Sequence, residues 1–149
     1  IGGAYEGARE PAYEAVAKAL KESGRFERVI GPEQVNPVVQ ASKETTDAMT
    51  GLLTRLETVG QPDKETAAKL GQALQAEALL VVKVNAWEYT KSEGSKIGKV
   101  ALGLRLIDAR DGSIVWKGRH EKTASYWMFK PNLKDLAAEL SAYMVKFMP

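Results

Sequence analysis

Between Ala78 and Glu121 the apolar residues recur at every second position, first at Val82 and Val84, then at Leu102 and Leu104, then at Ile114 and Trp116. A period of two is the mark of strands buried on one face. The three runs are separated by a Gly-bearing stretch at Glu93 to Gly98 and by the Asp111-Gly112 pair, both suited to chain reversal. The pattern predicts a three-stranded antiparallel meander. Elsewhere the period is helical. Tyr13, Val16, Ala17 and Leu20 mark one face of a helix that begins near Pro11, a residue suited to a first turn, and stops at Gly24, which tolerates the left-handed cap. Phe26 to Ile30, short and apolar between Gly24 and the Gly31-Pro32 breaker, predicts a strand. Asn36-Pro37 reads as a cap and first turn, and Thr45, Met49, Leu52, Leu56 and Val59 continue one long helix with Gly51 as its weak point. Gly60-Gln61-Pro62 ends it. Asp63 then caps a shorter helix whose inner face is Ala67, Leu70, Gly71 and Leu74, running to about Gln75. A last helix opens at Pro131-Asn132, with Asp135 placed to complete a capping interaction and Leu133, Leu136, Ala137, Leu140, Met144 and Phe147 as its apolar stripe.

The order of elements predicts an α/β (α+β) fold, a mixed sheet ending in the antiparallel meander and flanked by about four helices. Residues 1–10, with three glycines and no periodicity, read as a flexible lead-in, and residues 11–149 as one domain. One further strand is expected upstream of Ile1.

Three stretches carry a family likeness: GRFERVI from Gly24 to Ile30, DKETAAKLGQALQAEALLVVKV from Asp63 to Val84, and KVALGLRLIDARDGSIVWKG from Lys99 to Gly118. In them a helix ends in a small residue and runs into an apolar segment. A later strand closes on Asp108, turns with Gly112 and resumes with Val115-Trp116. This resembles the periplasmic domain shared by curli-secretion-channel lipoproteins, lipoprotein activators of penicillin-binding proteins, and the amino-terminal domain of the Tol translocation β-propeller protein. The chain departs from that pattern by lacking an opening Val-Ala-Val-Leu-Pro-Phe strand and by its long second helix. The resemblance implies a noncatalytic bacterial envelope lipoprotein, on the periplasmic side, that works by contact with other envelope proteins or with copies of itself in export or cell-wall assembly. It also implies attachment to the membrane only through a lipidated cysteine upstream of Ile1. It brings no catalytic residue and no cofactor.

Composition narrows the chemistry. With 149 residues, 44% of them hydrophobic and 27% charged, the chain is globular in type. The absence of cysteine excludes a disulfide framework, a zinc ribbon and a thiol nucleophile. A net charge of +2 is too balanced to draw nucleic acid by bulk attraction. His120, the only histidine, shares the apolar face of its strand with Ile114, Trp116 and Gly118 and reads as a core or rim residue rather than a catalytic base. No spacing of carboxylates suggests a metal site, and Gly2, Gly3 and Gly7 lack the strand, helix and lysine of a phosphate loop. Glu44 and Glu57 read as solvated helix faces.

Two surfaces remain as candidates for binding. Alternation places Lys83, Asn85, Trp87, Arg105, Lys117 and Arg119 on the sheet face opposite the apolar one, a basic surface that could take an acidic partner or glycan, or stand as the wet side of the sheet. Ala101 and Gly103 share it and could admit a covering helix. The second is Tyr126, Trp127, Met128, Phe129 and Lys130, between the last strand and the last helix. Such aromatics either anchor into the core, the expectation adopted for them, or meet a partner, another copy or a membrane surface if exposed.

Overall fold

A computed structural model describes residues 5–149 of the chain. A turn of 3-10 helix, Glu6–Ala8, precedes five α-helices: α1 (Arg9–Ser23), α2 (Pro32–Gln40), α3 (Lys43–Thr58), α4 (Lys64–Leu74) and α5 (Leu133–Val145). Between α4 and α5 run three strands, β1 (Ala78–Ser92), β2 (Ser95–Asp108) and β3 (Ile114–Tyr126), paired as an antiparallel sheet in the order β1-β2-β3. The fold is α+β. The chain divides into two compact units, one made of Ile1–Gly31, Val82–Leu104 and Gly118–Pro149, the other of Pro32–Val81 and Arg105–Lys117.

The reversals between strands follow local chemistry. At the β1–β2 turn Glu93 and Gly94 both take positive φ, +52° and +81°, as a type I′ hairpin requires. At the β2–β3 turn the Asp108 N–H donates to the Ser113 carbonyl at 2.9 Å and the Gly112 N–H to the Asp108 carbonyl at 2.8 Å. The Asp108 carboxylate accepts from Arg110 Nε at 3.1 Å, from its Nη2 at 2.9 Å and from its backbone N–H at 2.9 Å. Those bonds, the Arg110 side chain foremost, hold the Asp108 carboxyl below the ordinary carboxylate range.

In the first unit α1 packs on α5, and Val16 and Leu20 are buried as their spacing predicts. Val100, Leu102 and Leu104 of β2 are buried in the same unit. Both ends of α5 are held by side chains: Asn132 Oδ1 accepts from the Lys134 N–H at 2.9 Å to start it. Past its end, the Arg25 guanidinium donates to the Lys146 carbonyl at 2.8 Å and to that of Met148. Because α5 stops at Val145, the predicted stripe residue Phe147 is exposed and Met148 takes the buried place.

In the second unit Val39, Leu52, Leu56, Ala67 and Leu70 from α2, α3 and α4 close around Ile107, with Leu79, Val81 and Ile114 packed against them. Ile114 therefore belongs to this core rather than to the group of Val82, Val84, Leu102 and Leu104. The tightest contact in the unit is at Gly71 of α4, where a Cβ would lie 2.6 Å from the Ala109 Cβ and 3.0 Å from the Ala76 carbonyl oxygen.

Four sequence expectations change. Phe26 to Ile30 is irregular backbone, not a strand, so among the described residues the sheet is purely antiparallel rather than mixed. Phe26, Val29 and Ile30 are half-buried, and their apolar character serves packing instead of a ladder. The long helix from Asn36 to Val59 is two helices, which raises the count from four to five. The break comes at Ser42, whose hydroxyl accepts from the Thr45 N–H at 3.2 Å, while Thr45 and Thr46 hydroxyls donate to the Val39 carbonyl at 2.6 and 2.9 Å and close the end of α2. Pro37 lies inside α2, and Val59 is exposed just past the end of α3. The lead-in also shortens: residues 6–10 are a 3-10 turn and the start of α1, while residues 1–4, with Gly2 and Gly3, lie outside the described residues.

Two stability tests follow. Replacing Gly71 with Ala gains about 1 kcal/mol of helix propensity but forces overpacking that costs roughly 1–3 kcal/mol, so the Gly71→Ala protein is expected to unfold at lower denaturant concentration. An unchanged or higher midpoint would contradict the close packing of α4 on Ala109. Asp108, with its carboxyl lowered in the folded state, contributes stability that is full above the unfolded value and lost as pH falls through the folded one. The thermal advantage of wild type over Asp108→Asn should therefore be steady near neutrality and shrink below about pH 4.

Candidate interaction surfaces

On the sheet face of the first unit, β1, β2 and β3 bring Lys83, Asn85 and Arg119 around Gly103. A Cβ at Gly103 would lie 3.3 Å from Asn85 Nδ2, 3.8 Å from Arg119 Cγ and 3.9 Å from Lys83 Cβ. The missing side chain lets the Asn85 amide and the stems of Lys83 and Arg119 close in over the strand. Trp87, also of this unit, is half-buried, and Arg119 is exposed. The face is less basic than its lysines and arginines suggest, because Lys99 Nζ pairs with Glu121 Oε2 at 3.4 Å.

Arg105 and Lys117 belong to the second unit. Lys117 is exposed. Arg105 is half-buried and its Nη1 donates to the Leu56 carbonyl at 3.3 Å, in the last turn of α3, where a cation complements the unsatisfied carbonyls. Sequence alternation placed Arg105 on the binding face, yet its guanidinium is engaged by a helix end. Alternation gives the direction of a side chain and not what its far end meets.

The aromatic loop after β3 departs from the expected core anchoring. Its ends are fastened and its middle is not. Tyr89, near the end of β1, donates from its hydroxyl to the Pro131 carbonyl at 2.7 Å, meets the Tyr126 ring edge-on at 6.0 Å, and lies under the Lys130 ammonium at 4.7 Å. Between these anchors Trp127, Met128 and Phe129 are 84%, 66% and 83% exposed. Of the predicted contact residues, Tyr126 and Lys130 thus hold the loop, while Trp127 and Phe129 are presented by it. Tyr89 was missed in the sequence, although an aromatic at the end of a strand facing a Pro-closed loop is a signal that could have found it.

Nothing among these groups resembles a reaction centre. His120 is a rim residue, exposed and stacked on Tyr143 at 4.8 Å between centroids. Among the described residues no cluster of three or more His, Asp or Glu could hold a metal ion, and no helix is long and apolar enough to cross a membrane. The concavity between α3 and α4, about 450 Å³, is an open groove lined by Gly51, Thr54, Arg55, Thr58, Val59, Asp63 and Thr66. The Thr58 and Thr66 hydroxyls in it already donate to the Thr54 and Asp63 carbonyls.

The family model of the peptidoglycan-synthase activator LpoB matches residues 9–121. The chain belongs to this family. The match bears out the resemblance drawn from the Asp63 to Val84 and Lys99 to Gly118 stretches. No curated protein gives a significant match. Among solved structures, a PelC dodecamer from Paraburkholderia phytofirmans shares 19% identity over 91% of this chain and 72% of its own, with a TM-score of 0.51, and shows the same fold. A second PelC dodecamer from that organism (23% identity, 68% and 72% of the two chains, TM-score 0.41) and a lipoprotein from Neisseria meningitidis (19%, 62% and 67%, 0.40) match less closely. The LpoB span encloses Lys83, Asn85, Gly103 and Arg119 and ends before Tyr126.

If Arg105 caps α3 rather than meeting a ligand, Arg105→Ala should lower stability by about 0.3–1 kcal/mol in a denaturant titration. Partner binding by the folded protein should stay at the wild-type level; a selective loss of binding at full stability would return Arg105 to the binding face.

Proposed function

We propose that this chain is a noncatalytic domain of the bacterial envelope that stimulates a peptidoglycan synthase by direct contact, on the periplasmic side, through the sheet face around Gly103. The observation that carries this reading is the extent of the LpoB match. It spans residues 9–121, which include Lys83, Asn85, Gly103 and Arg119 and stop before the aromatic loop. Chemistry supports the same face. Arg119 is exposed beside the Asn85 amide, and an arginine fork with a neighbouring amide suits a carboxylate on a partner's surface loop. Contact of this kind acts by differential affinity: binding the active form of the synthase more tightly than the inactive one shifts the population without any reacting group on the activator.

The test is a glycan-polymerisation assay with a peptidoglycan synthase from the same organism. Reversing charge on this face, Arg119→Glu, should weaken binding and stimulation by about tenfold or more while leaving the melting temperature unchanged. The double substitution Trp127→Ala/Phe129→Ala should leave stimulation near wild type. Full stimulation by Arg119→Glu would sink the assignment of the contact, and binding of isolated glycan strands without any effect on a synthase would turn the face into a glycan-binding module.

A further inference from the structure

The Trp127–Met128–Phe129 tip is left unused by the synthase contact, and it lies outside the span shared with the LpoB family. In an antiparallel sheet the end of β1, the start of β2 and the end of β3 fall together. The β1–β2 hairpin and the β3–α5 loop therefore occupy one end of this unit, a placement that the Tyr89 contacts to Tyr126, Lys130 and Pro131 make direct. That end also carries charge of mainly one sign. Lys91 and Lys96 flank the hairpin turn, Lys130 and Lys134 flank the loop, and all four are exposed; against them stand Glu93 and Asp135. Three large apolar side chains stand out from a cationic surround.

We infer that this end of the molecule seats on an anionic phospholipid surface, with Trp127, Met128 and Phe129 entering the interfacial layer and Lys91, Lys96, Lys130 and Lys134 meeting headgroups. Three consecutive side chains at this level of exposure are costly in water and find an apolar medium in the acyl boundary. Tryptophan suits that layer because its ring is apolar and its indole N–H still reaches polar groups. The lysines select the occupant. Four flanking ammonium groups call for an anionic surround to the apolar layer, and an anionic leaflet supplies both at once, attracting each lysine. The Tyr89 clamp adds preorganisation, since a loop already fixed at both ends gives up less conformational freedom on insertion than a free one. The inference does not rest on the synthase contact, and the two can fail separately.

The experiment is sedimentation of the purified chain with vesicles of phosphatidylcholine alone and with about 30 mol% phosphatidylglycerol, alongside tryptophan fluorescence. Wild type should bind the anionic vesicles with a blue-shifted emission that is absent in Trp127→Phe. Trp127→Ala/Phe129→Ala, whose changes lie in exposed side chains, should keep its melting temperature and lose vesicle affinity by at least about tenfold. Lys91→Ala/Lys96→Ala should weaken binding to anionic vesicles by about fivefold per lysine, with the difference vanishing at high salt. The inference is overturned if wild type binds neither vesicle, or if the aromatic double variant binds as wild type does. It is equally overturned if light scattering shows a concentration-dependent oligomer that the same double substitution dissolves while vesicle binding is absent, since the tip is then a contact between copies.

Discussion

Strand β2 is the constraint on which the other elements depend. It is the central strand, hydrogen-bonded along both edges, and the sizes of its side chains set how closely its neighbours within each unit approach. Val100, Leu102 and Leu104 supply bulk to a buried layer. Gly98 supplies none, and Pro131 and Leu133 occupy the space, so that a Cβ there would lie 2.8 Å from Pro131 Cγ and 3.3 Å from Leu133 Cδ2. Gly103, five residues on, lets Asn85, Arg119 and Lys83 come close over the strand. Just past the strand, small Ala109 lies against Gly71 and lets α4 come close, and the Ala109 N–H is taken by the Glu77 carbonyl at 2.9 Å. Packed interiors tolerate little volume change, so each of these omissions fixes a neighbour's position.

The candidate binding groups of this protein lie on exposed surfaces. A reaction centre needs converging titratable groups in a water-poor recess, and here the only histidine is at an exposed rim against Tyr143. What the fold does provide is rigidity beneath exposed groups. The Gly103 face is built on three paired strands, and the aromatic tip is carried by a loop fastened at both ends through Tyr89. Binding groups on such supports lose little entropy when they meet a partner.

Much of this was legible in the chain because it depends on near neighbours. The faces of α1, α4 and α5 follow from spacing along a helix, and the α5 cap at Asn132 and the left-handed stop at Gly24 follow from single residues. The two hairpin turns follow from Glu93-Gly94 and Asp111-Gly112. Even the break between α2 and α3 has a local cause that reading could have caught, since Ser42 stands three residues before Thr45 at the start of an amphipathic run. The exposed tip was not legible. Trp127, Met128 and Phe129 have the composition of a core segment, and only the position of the loop beyond the end of β3 leaves them outside.

The sequence by itself determined the local periods, the α5 cap at Asn132, the turns and the family, because each is set by residues within a turn or two of one another or by a linear pattern of them; the cap expected at Asn36 instead lies inside α2, and Asp63 precedes α4 without a side-chain cap bond. Tertiary structure alone decided the rest. Phe26 to Ile30 has the composition of a strand but is irregular backbone outside the three-stranded sheet, its apolar residues half-buried by packing. Where the Arg105 guanidinium ended depended on the last turn of α3, 49 residues earlier in the chain. Which of five consecutive residues anchored and which protruded depended on Tyr89, on another strand. In the last two cases the deciding partner is distant in sequence, and a hydrogen bond or a packed face exists only when folding brings both halves together.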